Sequence, residues 1–546
     1  MAFLCNPLNL PYALQFDGNT AFREAADPSA VFFGGKYYLF LSMNAGYFVT
    51  DDFTSFSHRD YPPEISLYDY APDVCVCGDK LVFCVRHPEG GTAFLSSSDP
   101  ENLPLAGFRS PVPYSDPCLF RDDDGRLYYY YGCSDRDPIY GVALGDDFQP
   151  LSAPVPLIAE NRTERGYEYP GDGHLAPETQ RPWIEGAWMT KHGGRYYLQY
   201  AAPGTQFDVY CDAVFVSSSP LGPFSPAENN PFSYEPAGFL TGAGHGSTFL
   251  SPGGKPYHIA TARISVNHMF ERRIGLWRAG FDRDGELFCD QRFGDFPFDP
   301  ESEPFAPPEF MLLSYRKKVT ASSGTGAENV TDENIRTWWT AAEDDPVPTL
   351  TLDLGKEYPV SFVQVNFADN REDLLRAFRQ PHGGRYTDRV LRPLRWLLEG
   401  SGDGKAFFTL ADRRDAAACL PHELSGAREK RLRYLRLTVT GTPFSLPPAV
   451  SGLRVFGKGE GKKPEKAILS GIRTAPTAAS LSFRSKGEDG FLLLWGHRPD
   501  KLYHAMTVWG RNAADIRALT AGQKLFVRAD AINENGVTEG DVLEIK

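Results

Sequence analysis

The stretch SDPCLFRDDDGRLYYYYG, Ser115–Gly132, fixes the fold class. An acidic residue opens it, a short apolar run follows, Asp124-Gly125 supplies a turn that accepts positive φ, and the tyrosines Tyr128 to Tyr131 form a second strand suited to a pleated surface. The same order returns in ADPSAVFFGGKYYLFLS (Ala26–Ser42), APDVCVCGDKLVFCV (Ala71–Val85), IEGAWMTKHGGRYYLQYA (Ile184–Ala201) and GHGSTFLSPGGKPYHIATA (Gly244–Ala262). Each unit is a hairpin signal. The leading polar residues, Asp27, Asp73, Asp116, Glu185 and His245, follow one another at intervals of 46, 43, 69 and 60 residues. The shorter intervals match the roughly 40–50 residues of a four-stranded propeller blade, and the longer ones leave room for insertions. Further strands after Gly91, Ile139 and Cys211 supply the outer parts of blades. The reading is an all-β chain that begins with a five-bladed β-propeller over residues 1–313, the five leading side chains converging on its axis.

From about Tyr315 the blade repeat stops, and KKVTASSGTGAENVTDENIRTWWTAAEDDPVPTLTLDLGKEYPVSFVQVNF (Lys317–Phe367) shows alternating strands without it. A β-sandwich is expected over 315–457. Its ASS at Ala321, the Thr331-Asp332 to Trp338 run and LDLG at Leu352 resemble the discoidin, or coagulation-factor type C, family. Trp338 and Trp339 invite a sugar-platform reading, but that resemblance implies a buried tryptophan. Residues 458–466, rich in Gly and Lys, read as a linker. Residues 467–546 carry six or seven short strand signals and read as an immunoglobulin-like or fibronectin type III-like sandwich.

Composition narrows the function. A formal net charge of −14 argues against general affinity for nucleic acid or anionic membrane, both of which need a positive field. No run approaches the roughly 20 apolar residues that span a bilayer, and no basic segment with an apolar run opens the chain. The nine cysteines contain no CxxC pair, so neither a disulfide framework nor a cysteine zinc site is signalled. Cys75, Cys77 and Cys84 read as buried thiols, and free cysteines point to the cytoplasm, with imported oligosaccharide as substrate. Oligomeric state is left open.

An axis ringed by carboxylates suits glycosidic bond cleavage, which needs an acid for the leaving oxygen and a second carboxylate acting on water or on the sugar carbon. The first 310 or so residues resemble glycoside hydrolase family 43, a set of inverting five-bladed propeller enzymes acting mostly on arabinofuranosides, xylosides and galactofuranosides. The matching pieces are ADPS around Asp27, the Asp116 stretch, IEGAW around Glu185 and GHGS around His245, in the family's order. The resemblance implies that Asp27 is the general base, that Glu185 is the general acid, and that Asp116 orients substrate and raises the acid's pKa. It implies for His245 an axial water or a calcium ion, and for Arg272 or Arg273 a sugar-binding role; no organic cofactor is required.

Other candidates are residue readings. Asp73 shares the repeat position and is weighed as a substrate-binding or a turn residue. Trp188 and Trp183 flank Glu185 and are placed to exclude water. The insertion RTERGYEYPGDGHLAPETQRPW (Arg162–Trp183) reads as a loop over the pocket mouth, with Tyr167, Tyr169, Asp172 and His174 facing substrate. The expected activity is exo-acting release of a terminal arabinofuranose, xylose or galactofuranose; the alternative is an inactive carbohydrate-binding propeller.

Overall fold

The computed structural model describes residues 3–17, 20–61, 70–101, 106–370, 386–388 and 390–546. The chain is almost wholly β, and its first part folds as five blades. Blade I is Ser29–Phe33, Lys36–Phe40, Gly46–Thr50 and Ser57–Asp60. Blade II is Asp73–Cys77, Lys80–Arg86, Thr92–Ser97 and Ala106–Ser110. Blade III is Cys118–Arg121, Leu127–Tyr131, Ile139–Leu144 and Val155–Ile158. Glu185–His192, Arg195–Ala202 and Cys211–Ser217, edged by the short strands Ser225–Pro226 and Ser233–Tyr234, make blade IV. Thr241–Leu250, Pro256–Arg263, Arg272–Phe281 and Leu287–Asp290 make blade V. Each inner strand lies beside the next, and that of blade V returns to blade I.

Five polar contacts fasten that ring, each joining one inner strand to the next. Ser29 Oγ accepts from the Val74 N–H, Asp73 Oδ2 from Leu119 N–H, and Cys118 Sγ from Met189 N–H. Trp188 Nε1 donates to the Thr248 carbonyl, and Ser247 Oγ accepts from Ala30 N–H, closing the circle. Residues 29, 73, 118, 188 and 247 are therefore structurally equivalent. The residue two places earlier in each blade, Asp27, Ala71, Asp116, Gly186 and His245, has φ of 53, 45, 45, 64 and 49°. All five occupy the left-handed region, which costs a non-glycine residue about 1–3 kcal/mol and persists only where its surroundings over-determine it.

This equivalence corrects the repeat as read from spacing. Ala71, not Asp73, is the blade II counterpart of Asp27, and Gly186, not Glu185, is that of blade IV. Glu185 enters one residue earlier because the strand bulges between Glu185 and Trp188, as blade V does between Gly244 and Ser247. Such bulges re-aim a side chain beside a site.

The second unit is one eight-stranded sheet built on Thr349–Phe367, His422–Gly441 and Ala449–Gly457. Its first strand, Met311–Leu312, pairs with Ala449–Gly457, so the sheet begins ahead of the boundary expected at 313–315. Trp339 is fully buried there and donates Nε1 to the Ser323 carbonyl. Residues 458–466 form no strand, but Pro464 and Lys462 carbonyls accept from Thr538 and Asn533, which ties the linker down. The C-terminal unit has eight strands in sheets of three and five. Its core runs on into blades III and IV, where Leu493, Trp495 and Val527 join Tyr200, Phe215 and Tyr234.

Candidate active site

At the axis, contacts run in series from Asp27 through His245 and Asp116 to Glu185. Asp27, 6 % exposed, accepts from Ser42 Oγ at 2.6 Å and from Arg272 at 3.1 Å. His245 Nδ1 lies 3.3 Å from Asp27 Oδ1 and 3.7 Å from Asp116 Oδ2. Asp116, Cys133 and Glu185 bring ligating atoms within 4.8 Å of one another. Glu185 accepts from Tyr210 Oη at 2.6 Å and from Cys133 Sγ at 3.3 Å. A side chain at Gly186 would meet the His245 ring at 2.7 Å, so the residue after Glu185 has to be glycine for the imidazole to reach the axis.

The backbone holding these groups is fixed by neighbouring blades. Asp27 N–H donates to Thr261 Oγ1, and His245 N–H and Gly246 N–H donate to the two oxygens of Asp212. Left-handed residues outside glycine are found disproportionately at functional sites, and here three of the four carry ionisable side chains that meet at one point.

Charge separates the groups. Burial pushes Asp27 up, but Arg272, His245 and Ser42 outweigh it and hold its carboxyl below the ordinary range. Burial pushes Asp116 up to about 7, opposed by His245 and reinforced by the Glu185 and Asp27 carboxylates. Burial disfavours charge on His245, yet Asp27, Asp116 and Glu185 raise it above the ordinary imidazole value. The surroundings thus favour an ionised Asp27 and a charged His245 and disfavour charge on Asp116.

Calcium fits poorly beside His245. Nδ1 faces two carboxylates as a donor, whereas calcium takes six to eight oxygens. The Asp116, Cys133 and Glu185 trio has the donor types a softer divalent ion would use.

The two arginines part company, as neighbours on a strand must. Arg272 reaches the axis, paired with Glu24 at 2.9 Å and Asp27 at 3.1 Å. Arg273 turns away, to Asp369 at 3.0 Å and His422 at 2.9 Å in the second unit, so it is an interdomain residue and not a sugar ligand. Asp73 also lies outside the site. Both its oxygens are engaged, by Ser29 and Leu119, and burial pushes it up to about 6. Trp188 is the blade IV fastener, with its N–H committed to Thr248, whereas Trp183 is 42 % exposed.

The insertion after blade III is built differently from a free lid. His174 bridges the Tyr169 carbonyl and Tyr234 Oη, and burial pushes it down to about 4, so it is a neutral brace. Tyr167 is fully buried. Tyr169 is half-buried under Arg162, and Asp172 pairs with Arg263 at 3.2 Å. Sequence reasoning missed Tyr210, Cys133, Ser42 and Glu24. None is a leading polar residue of the repeat, and only the fold brings them in.

Residues 21–287 match the model of glycosyl hydrolases family 43. The chain is similar to a beta-D-galactofuranosidase of Aspergillus niger, 26 % identical over 302 residues, covering 48 % of this chain and 81 % of that protein. It is similar to a beta-xylosidase of Xylanibacter ruminicola, 27 % identical over 255 residues, 37 % of this chain and 77 % of that one. Xylosidase/arabinosidase 43A of Humicola insolens is 27 % identical over 258 residues, 37 % and 78 % of the two chains. With the five-bladed ring and the match over residues 21–287, the propeller of this chain belongs to glycosyl hydrolase family 43.

Proposed function

We propose that this glycoside hydrolase is exo-acting and inverting, and that it releases a terminal arabinofuranose, xylose or galactofuranose from an oligosaccharide. Asp27 takes a proton from water as the water attacks the anomeric carbon, while Glu185 gives a proton to the departing oxygen. Asp116, beside Glu185, orients the substrate. The observation that carries this reading is the division of charge: Arg272, His245 and Ser42 favour an ionised Asp27, while burial and the neighbouring carboxylates push Asp116, beside Glu185, up to about 7. Asp27 and Glu185 stand at opposite ends of the contact series, which supports a base and an acid working on separate faces of a sugar. In this scheme His245 stands on the axis between Asp27 and Asp116, whose carboxylates, against burial, favour its charged form. The choice among sugars is supported by the galactofuranosidase, xylosidase and arabinosidase names of the relatives.

Among the described residues no helix is long and apolar enough to cross a membrane. Cys5, Cys75, Cys77, Cys84, Cys118, Cys133, Cys211 and Cys289 form no disulfide, which supports a reducing compartment and an imported oligosaccharide as substrate. The test is turnover of nitrophenyl α-L-arabinofuranoside, β-D-xyloside and β-D-galactofuranoside by the wild type, Asp27→Asn and Glu185→Gln. One substrate cleaved, and its cleavage nearly abolished by both changes, is the expected result; sugar binding without turnover would make the propeller a binding module.

A further inference from the structure

Far from the axis, the outer hairpin of blade V meets the C-terminal unit through a polar cluster that sugar cleavage does not use. Lys501, almost wholly buried, places its Nζ 2.7 Å from Asp282, 2.7 Å from Asp284 and 3.2 Å from Glu286 Oε2. Beside it stands His497, 8 % exposed, and neither of its ring nitrogens makes a hydrogen bond. Buried imidazoles ordinarily find partners, because leaving a buried polar atom unmade forfeits its hydration. Its Nε2 aims between two carboxylates, 3.3 Å from Glu286 Oε1 and 3.5 Å from Glu228 Oε2.

These three side chains come from three places in the chain. Glu228 follows the short edge strand Ser225–Pro226 of blade IV, Glu286 sits in the blade V outer turn, and His497 follows the Gly490–Gly496 strand. Their ligating atoms all lie within 4.8 Å of one another. A tetrahedral ion with bonds of about 2.0 Å holds its ligands about 3.3 Å apart, which is the spacing around His497 Nε2. One imidazole nitrogen and two carboxylate oxygens form a donor set that suits zinc better than calcium or magnesium.

We propose that His497, Glu286 and Glu228 bind a divalent ion of the zinc class, which clamps the C-terminal unit to the propeller. Glu286 spans the two halves of the cluster, one oxygen on the ion and the other on Lys501. The fourth position is left for water. The ion would act on the union of the two units and not on the glycosidase chemistry.

The experiment uses the full chain stripped with a chelator, titrated with zinc chloride by calorimetry and followed by thermal unfolding. One zinc per chain with a raised unfolding midpoint is expected. Glu228→Gln, at a side chain 71 % exposed and so safe for folding, is expected to weaken binding about tenfold or more, and His497→Gln to abolish it. Cys133→Ser, which dismantles the other candidate trio, is expected to bind as the wild type does. No stoichiometric uptake, or uptake that Glu228→Gln leaves unchanged, would overturn the site and leave an ordinary His–Glu ion pair. Uptake lost in Cys133→Ser but kept in Glu228→Gln would overturn it too, by moving the ion to the axis.

Discussion

Blades I and II carry the same device and use it for different ends. Each opens on a left-handed residue followed by proline, Asp27-Pro28-Ser29 in one and Ala71-Pro72-Asp73 in the other. In blade I the carboxylate sits on the left-handed residue and faces the axis. In blade II it sits two places later and fastens blade to blade. One serine joins the two: Ser42 Oγ donates to Asp27 and accepts from the Ala71 N–H. Position within the tripeptide, and not the presence of an acid, separates chemistry from architecture. It follows that the aspartate side chain should be needed for turnover in blade I and dispensable for it in blade II.

The sharpest break is to remove each acid. Asp27→Asn is expected to lower kcat/KM by about 10²–10⁴-fold, measured by nitrophenyl glycoside kinetics. Asp73→Ala should leave turnover in place. It strands the buried Leu119 N–H and should lower stability by about 2–4 kcal/mol in denaturant unfolding, with kcat unchanged. A large fall in kcat for Asp73→Ala would place blade II in the site after all.

Next in size comes the serine that joins the blades. Ser42→Ala removes a hydrogen bond to a charged group and should cost about tenfold in kcat/KM, with the activity's acid limb moving to higher pH as Asp27 loses a partner that favours its ionised form. On the alkaline side kcat/KM should fall above about 7 as Asp116 loses its proton, and Asp116→Asn should remove that limb.

The smallest effect is a slope. Asp73 is raised from 3.8 to about 6, so its contribution to stability is present in full below pH 3.8 and is lost as pH rises through 6. The wild type should therefore lose up to about 3 kcal/mol of stability over that window from this group. Asp73→Asn, which can still accept from Leu119 and donate to Ser29, should flatten the curve there.

The roles expected of Asp27, Asp116 and Glu185 come from the family resemblance, whereas the hairpin repeat and its five-fold count could be read from residues because turn chemistry and strand composition are local. Register could not. Spacing alone does not distinguish Ala71 from Asp73, since both lie beside Pro72, and only the inter-strand partners reveal which one aligns with Asp27. Arg272 and Arg273 were inseparable for a related reason: adjacent strand residues point to opposite faces, and which face meets the axis depends on pairing across Glu24 and Arg272. The insertion read as a lid because it is polar and rich in Gly and Pro, yet His174 and Tyr167 are drawn into a core that includes the C-terminal unit. Tyr210 and Cys133 carried no signal, because their importance comes wholly from standing beside Glu185.

The seam where the circle closes has a kinetic meaning. Asp27 is separated by 234 residues from Thr261, which anchors its backbone, and by 245 from Arg272, which holds its charge. Contacts of such long sequence separation carry the largest loop-closure entropy, and they form late. During refolding the general base should therefore become competent after most of the β-structure has appeared, with regain of turnover lagging the far-ultraviolet signal. Activity in this molecule is a clock for the final join between its first blade and its last.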